Sequence, residues 1–162
     1  MRYVWDHYHF YRANAGLPTR MLMPWIAPAL RAWDVTTAAR VDAFVANSRH
    51  VADRISKYYR RRATVLNPPV NVDEFAPAAE LGDHYLVAGQ LVGYKRVDLA
   101  VRAFTRMNRK LVVIGEGPEM AALKRLAGSS VTFLGRAPFA QLKDMLSRCR
   151  ALVFPGTEDF GI

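Results

Sequence analysis

The 162-residue chain is long enough for one domain and part of another, and 51% hydrophobic residues suffice for a packed core. Its net charge of +9 favours anionic partners such as nucleotide diphosphates, phospholipid head groups or nucleic acid, without choosing among them. The apolar runs fall far short of the ~20 residues of a membrane span. The single cysteine, Cys149, excludes an intrachain disulfide, which favours a reducing cytoplasm, and we expect it to be a small buried residue.

Residues 1–40 are crowded with aromatic side chains and interrupted by prolines, so their secondary structure is not predicted by a periodic pattern. The start MRYVWDHYHFYR lacks the pattern of a signal peptide, which favours a cytoplasmic protein. We expect the Tyr and Trp cluster to pack against another domain, with a peripheral membrane contact as the alternative. His7 and His9 have no third ligand nearby in the sequence and are expected to pack rather than to bind metal.

Residues 41–83 predict a strand, a helix, a second strand and a linker. The first strand is predicted to be short and buried and covers residues 43–46, and Asn47 or Ser48 can cap the helix that follows. The second strand covers residues 63–66, and the proline-containing stretch after it has the composition of a loop. The basic run at residues 60–62 is expected to be the solvated end of the helix.

From residue 84 onward, apolar strands alternate with amphipathic helices, which predicts a Rossmann-like parallel sheet with helices on its faces. Four strands are predicted, at residues 85–88, 111–114, 131–134 and 151–154. Apolar residues at helical spacing predict helices over residues 97–107, 120–127 and 139–146.

Glycine follows each of the four predicted strands, at the sheet edge where ligands bind in folds of this type. The first of these loops, residues 89–96, ends in Lys95 and Arg96 at a predicted helix start, which suits a phosphate group. Glycines also follow the second strand, where they permit positive φ angles. The pattern predicts an anion site formed by these loops.

Three phrases in this order and spacing resemble the group 1 retaining glycosyltransferases of the GT-B fold: VDAFVANS with VLNPPVNVDEF, AGQLVGYKRVDLAVRAF, and LVVIGEGPE continuing to LVFPGTEDFGI. The opening MRYVWDHYHFYR and the double proline resemble the bacterial mannosyltransferase-like enzymes of O-antigen or polysaccharide assembly. The resemblance implies the carboxyl-terminal, donor domain of a GT-B fold in an incomplete chain. It implies an acceptor-domain remnant over residues 1–40, an inter-domain segment over 41–83 and a nucleotide-sugar-binding domain over 84–162.

The resemblance also implies roles for individual residues. Lys95 matches the lysine that neutralises the donor diphosphate, and Gln90 stands where relatives usually carry an arginine. Glu158 matches the first glutamate of an E-x7-E motif and implies a catalytic carboxylate against the sugar, whereas the second would fall at position 166. The other implied donor-binding residues are Gly89, Arg136, Phe160, Gly161 and Ile162. No Asp-x-Asp motif is present, so no metal or other cofactor is expected.

The implied activity is transfer of a hexose such as mannose from a nucleoside-diphosphate sugar to a saccharide or lipid-linked acceptor in polysaccharide biosynthesis, in the cytoplasm or at the inner membrane face. We expect this chain alone to be inactive. A non-catalytic fragment that binds the nucleotide sugar and needs a partner chain is the alternative. Nucleic-acid binding would depend only on positive charge, without a recognised module, and is not predicted.

Overall fold

The computed structural model describes residues 4–156, which divide into two units at the junction of Pro69 and Val70. The first unit contains helices α1 (Tyr8–Asn14) and α2 (Leu17–Ala38), strand β1 (Phe44–Ala46), helix α3 (Arg49–Tyr59) and strand β2 (Ala63–Val65). The strand–helix–strand segment therefore shares a unit with residues 4–40. The assignment of residues 1–40 to an acceptor domain stays a prediction.

Helix α2 forms although Pro24 and Pro28 lie inside it. A proline lacks the N–H that would bond the carbonyl four residues earlier. For Pro24 that carbonyl belongs to Arg20, and Nε of Arg12 donates to it from α1 at 3.5 Å. Pro18 lies in the first turn of α2, where proline is tolerated because that N–H has no helical partner.

Strands β1 and β2, which the sequence predicts with a helix between them, form a two-stranded parallel sheet connected through α3. The prediction that the first strand is buried is wrong at Val45, which is 64% exposed. Ser48 caps α3, because its Oγ accepts a hydrogen bond from the backbone N–H of Val51 at 3.1 Å. Ile55 is the buried residue of this helix. The helix ends at Tyr59, and the next residue, Arg60, has a positive φ of 54° that interrupts the helical geometry.

Two aspartates tie the aromatic start of the chain to α2 and α3. The carboxylate of Asp34, 8% exposed, accepts hydrogen bonds from Nε1 of Trp5 at 2.7 Å and from the hydroxyl of Tyr59 at 2.9 Å. Asp6 contacts Nε of Arg54 at 2.5 Å and also accepts from the Tyr58 hydroxyl. These bonds hold the segment that precedes α1.

The aromatic residues of the first unit divide into two groups. Trp5 stacks on Tyr58 at a centroid distance of 4.5 Å, and Tyr8 is 9% exposed. Trp25 and Trp33 on α2 are 83% and 57% exposed, and their packing against another domain stays a prediction. Across the described residues, no helix combines the length and apolar character needed to cross a bilayer.

The second unit is a three-stranded parallel sheet with the order β3–β4–β5, flanked by three helices. Its elements are β3 (Tyr85–Ala88), α4 (Val97–Met107), β4 (Leu111–Ile114), α5 (Met120–Leu126), β5 (Val131–Gly135) and α6 (Phe139–Arg148). Short 3-10 turns cover Val72–Glu74 and Gly93–Lys95. These elements confirm the predicted Rossmann-like α/β fold.

The core of the second unit lies between the sheet and the apolar stripe of α4. Val101, Leu111 and Val113 are fully buried within it. The predicted stripe of α4 is confirmed from Val97 to Phe104 but is wrong at Met107, which is 52% exposed. Met107 is the last helical residue before Asn108, which ends the helix at a positive φ of 50°.

The fourth predicted strand is reduced to one bridge, in which Leu152 pairs with Leu86 in parallel. Leu152 and Phe154 are 50% and 45% exposed, and Pro155 cannot donate a further ladder hydrogen bond. Cys149, expected to be buried, is only partly so; its thiol donates to the Leu146 carbonyl at 3.3 Å, and burial raises the pKa of the thiol.

Candidate functional site

The order of strands in the second unit creates a switch point beside β3. The chain runs from β3 to β4 and β5 on one side, and then returns to the other side of β3 at Leu152. The backbone hydrogen bonds from Leu86 N to Ala151 O, 3.0 Å, and from Val153 N to Leu86 O, 2.7 Å, fix this pairing. In open parallel sheets, a crevice forms outside the carboxyl ends of the two strands at such a point.

Lys95 lies in this crevice, between the loop that ends β3 and the loop after Leu152. A Cβ atom built on Gly89 would lie 3.3 Å from Nζ of Lys95, so the ammonium group is next to the end of β3. A Cβ atom built on Gly156 would lie 2.7 Å from Cα of Lys95, so a side chain at position 156 would collide with the backbone. The half-buried Lys95 is thus held on both sides.

The second cation of this loop has a different environment. Arg96 adopts a positive φ of 52° and caps α4, and its guanidinium makes two hydrogen bonds to the carboxylate of Asp98 at 3.0 and 3.1 Å. The bond to Arg96 keeps the pKa of Asp98 below its usual value. Of the two cations that the sequence offered to a phosphate, Lys95 is therefore the one beside the strand ends.

The glycines after β4 serve contacts within the protein. A Cβ atom on Gly115 would lie 1.8 Å from the carbonyl oxygen of Gly89, and one on Gly117 would lie 2.3 Å from that of Leu91. Hydrogen bonds join the two loops, from Leu91 N to Glu116 O at 2.9 Å and from Glu119 N to Leu91 O at 3.1 Å. The loop that leads to Lys95 is consequently fixed against the loop that follows β4.

The remaining predicted donor residues lie at the same edge of the sheet at different distances from the crevice. Gln90 follows Gly89 directly and is exposed. Arg136 follows β5 and is exposed, two strands from β3 and therefore about 10 Å from it at the usual strand spacing. The exposed Glu116 adds a negative charge at this edge. Glu158, Phe160, Gly161 and Ile162 lie outside the described residues.

The geometry suits a phosphate better than a neutral ligand. A positioned ammonium group next to the backbone of two strand ends can stabilise charge that develops on a leaving diphosphate. Within residues 4–156, no group of three or more His, Cys, Asp and Glu side chains could hold a metal ion. The positive charge in the crevice comes from Lys95.

The match to a family model decides the class of this chain. The model of the glycosyl transferases of group 1 matches residues 73–162, more than half of the chain. This chain belongs to the group 1 glycosyltransferases. No curated protein sequence matches this group 1 chain.

Solved glycosyltransferases share the fold of this group 1 chain. AviGT4, which is involved in avilamycin A biosynthesis, has a TM-score of 0.56 and 22% identity over 67% of this chain and 33% of its own. A TarM variant of S. aureus, solved with fondaparinux, alpha-GlcNAc-glycerol and UDP, has a TM-score of 0.61 and 13% identity over 76% of this chain and 27% of its own. HepE of Anabaena, solved with UDP and glucose, has a TM-score of 0.61 and 14% identity over 76% of this chain and 40% of its own.

These neighbours confirm the GT-B type of fold for the group 1 chain. At these identities the likeness concerns the fold alone. The chain spans 27–40% of the length of the three structures.

Two features of the site were not foreseen from the sequence. The close approach of Gly156 to Lys95 depends on tertiary packing, although the glycine after the fourth strand was a signal for it. The pairing of Arg96 with Asp98 follows from the capping turn before α4, and the only hint was an acidic residue in the first helical turn.

Proposed function

We propose that this chain is the donor-binding part of a retaining glycosyltransferase. The transferred sugar is a hexose such as mannose, the donor is a nucleoside-diphosphate sugar, and the acceptor is a saccharide or a lipid-linked saccharide in polysaccharide biosynthesis. The observation that carries the proposal is the position of Lys95 at the switch point, between Gly89 and Gly156. Two of the solved structures that share the fold of this chain contain UDP, which supports a nucleoside diphosphate as the leaving group.

The proposed mechanism assigns separate tasks to the two predicted groups. When the bond between the anomeric carbon and the diphosphate breaks, the ammonium of Lys95 stabilises the negative charge on the departing phosphate oxygens. Glu158 hydrogen-bonds the sugar and favours the positive charge that develops at the anomeric carbon. Phe160, Gly161 and Ile162 present backbone N–H groups to the donor. In this proposal a lysine supplies the charge, and neither metal nor cofactor takes part.

A second candidate is a fragment that binds the nucleotide sugar and needs a partner chain for transfer. It is supported by the share of the solved structures that this chain spans, 27–40%. The same fact supports the proposal that this chain alone does not transfer sugar. A cytoplasmic location, with a peripheral contact at the inner membrane face, belongs to the proposal and agrees with the single cysteine.

Titration calorimetry with UDP and with GDP tests the site. The wild-type chain should bind at least one of the two nucleotides, and Lys95→Ala should weaken binding about tenfold or more because a charge-assisted hydrogen bond is lost. Lys110→Ala is the matched control. It removes the same charge just before β4, where Lys110 pairs with Asp83, at the opposite edge of the sheet.

Equal binding by wild type and Lys95→Ala, or equal losses in both variants, would show that Lys95 does not hold the diphosphate. The titration is repeated with Mg²⁺ and with a chelator. Equal affinity in both is expected, and a requirement for Mg²⁺ would contradict the metal-free site. Transfer from labelled nucleotide sugars to a lipid-acceptor extract is expected to be absent with this chain alone, and turnover would contradict both the partner-dependent candidate and the proposed inactivity of the chain by itself.

A further inference from the structure

The turn that leads into α4 holds one residue in a conformation that its side chain disfavours. Arg96 has a φ of 52° and a ψ of 37°, in the left-handed region that favours glycine. It is also the N-cap of α4, where short polar side chains are preferred because they accept a backbone N–H, which a guanidinium cannot do. The local sequence therefore disfavours this turn, and a further contact has to stabilise it.

Asp98 makes that contact. Its two carboxylate oxygens accept hydrogen bonds from Nε and Nη2 of Arg96 at 3.0 and 3.1 Å, so the guanidinium is held through two arms of its fork. Only Val97 separates the two residues, hence the pair closes a small ring across the turn. Val97 and Val101 are buried in the core between α4 and the sheet. The carboxylate that holds Arg96 is thus itself anchored to the sheet through α4.

The conformation of Arg96 determines the orientation of the peptide group that joins it to Lys95. The N–H of this peptide donates to the Gly93 carbonyl at 3.2 Å. Its carbonyl lies against Gly156, because a Cβ atom built there would lie 2.8 Å from the Lys95 oxygen. A change from left-handed to right-handed helical φ at position 96 would rotate the peptide by roughly 120°. The Lys95 carbonyl would then leave Gly156, and the Lys95 backbone would leave its place in the crevice.

We propose that Asp98 is a positioning residue for the donor diphosphate, acting through Arg96 on Lys95. Asp98 does not touch the donor; it stabilises the left-handed turn that presents the Lys95 ammonium beside Gly89. The inference rests on the proposed function, since Lys95 is the group that holds the diphosphate there. The pair of Asp98 and Arg96 lies at the surface, and exposed ion pairs contribute little to global stability. The effect of Asp98 is therefore expected in nucleotide affinity and not in the unfolding temperature.

Titration calorimetry on Asp98→Ala tests the proposal. Binding of UDP or GDP should weaken about three- to tenfold, because the binding-competent turn is then only fractionally populated. Removal of a negative charge near an anion site would by itself strengthen binding, so a loss of affinity is specific to positioning. Asp144→Ala is the matched control. It removes the same charge from an exposed pair with Arg148 on α6 and should leave binding unchanged.

Arg96→Gly provides the rescue, because glycine adopts the left-handed conformation without strain and does not need the carboxylate. The double variant Arg96→Gly/Asp98→Ala should bind the nucleotide more tightly than Asp98→Ala and as tightly as Arg96→Gly alone. A direct phosphate contact by Arg96 would instead make Arg96→Gly lose at least as much affinity as Asp98→Ala, which would overturn the proposal. An equal loss in Asp98→Ala and the double variant would assign Asp98 to the helix dipole of α4 and would also overturn it.

Amide hydrogen exchange, measured by NMR without nucleotide, tests the turn independently of the donor. The Lys95 N–H donates to the Val92 carbonyl at 3.0 Å within this turn. Exchange of the Lys95 amide should be about threefold faster or more in Asp98→Ala, because the turn opens more often. It should return to the wild-type rate when Arg96→Gly is added. The Val101 amide in the core of the unit should stay protected in every variant, which shows that the variants are folded.

The two measurements separate the positioning role from the donor site. Unchanged exchange of the Lys95 amide in Asp98→Ala, or tighter nucleotide binding by this variant, would overturn the proposal. The expected exchange pattern without nucleotide binding by any of the proteins would support the positioning of Lys95 by Asp98 and would contradict the donor site alone.

Discussion

The donor proposal depends most on two neighbouring residues of one loop. Lys95 is fixed by the backbone on both sides of the crevice, whereas Gln90 is exposed at its rim and carries no charge. An amide can donate one hydrogen bond to a phosphate oxygen, but a guanidinium can donate two with full charge. The loop therefore supplies one cationic contact, from Lys95, and a neutral side chain at position 90, where an arginine could supply a second.

Restoring the second cation should strengthen the site. Gln90→Arg is expected to raise the affinity for UDP or GDP about three- to tenfold, because a charged bidentate contact replaces a neutral one. Calorimetry measures the change, and Lys95→Ala in the same background should remove most of it if both cations bind one diphosphate. An unchanged or lower affinity in Gln90→Arg would place the diphosphate away from Gln90.

The hydrogen-bonded pair of Asp34 and Tyr59 predicts how the first unit responds to pH. Burial opposes ionisation of Asp34, but the bonds from Trp5 and Tyr59 lower its pKa below 3.8. Burial, together with Asp34, raises the pKa of Tyr59 from 10.0 to about 12. The Asp34 contribution to stability is present above pH 3.8 and is lost as the pH falls through its lowered pKa. The Tyr59 contribution is present below pH 10 and is lost as the pH rises towards 12.

Tyr59→Phe should remove the alkaline part of this dependence. Urea unfolding can be followed by tryptophan fluorescence, because all three tryptophans lie in the first unit. We expect the wild type to lose stability between pH 10 and 12 more steeply than Tyr59→Phe does. Tyr11→Phe, which changes a 40% exposed tyrosine, is the control and should follow the wild type. Identical curves for all three proteins would contradict the role of the pair.

At the scale of elements, the contact between the loops after β3 and β4 leaves no room for a side chain at Gly115. Its φ of 142° and the 1.8 Å approach of a Cβ to the Gly89 oxygen act together, whereas Gly135 has a φ of 68° and open space around it. Gly135→Ala should cost about 1–2 kcal/mol of unfolding free energy, from backbone strain alone. Gly115→Ala should cost more than about 4 kcal/mol or prevent folding of the unit.

Chemical denaturation followed by circular dichroism compares the two variants. Equal losses for Gly115→Ala and Gly135→Ala would mean that the loops can move apart, and that Lys95 is not held by the contact between them. A larger loss for Gly115→Ala is the expected result, and hydrogen exchange should then show less protection for the loop around Leu91.

The periodic spacing of hydrophobic residues predicts most strands and helices of the second unit, but it does not predict α2. Apolar runs predict strands β3 and β4, and helical spacing predicts the apolar stripe of α4. These predictions succeed because the strands and α4 pack against each other in one core. Helix α2 was not predicted, since Pro24 and Pro28 normally interrupt a helix. In the structure, Nε of Arg12 donates to the Arg20 carbonyl that Pro24 cannot bond, a contact that no local pattern reveals.

At the scale of the whole molecule, fold and site differ in how far the sequence predicts them. The rule that ligands bind at the carboxyl ends of parallel strands predicts the loop of Lys95 as a ligand-binding loop. The close packing of Gly156 on Lys95 and the pairing of Arg96 with Asp98 could not be predicted, because they depend on tertiary packing and on the capping turn. The roles of Glu158 and the three residues Phe160, Gly161 and Ile162 stay predictions.

The central claim is that a nucleoside diphosphate binds at the switch point beside β3. An NMR titration of the isotope-labelled chain with UDP and with GDP tests it most directly, because it shows both binding and location. The account predicts shifts of the amide signals of Gly89, Gln90, Lys95 and Gly156, and no shifts at Lys110 and Ser130 at the opposite edge of the sheet. Shifts confined to the opposite edge or to residues 4–69, or no shifts with either nucleotide, would contradict it.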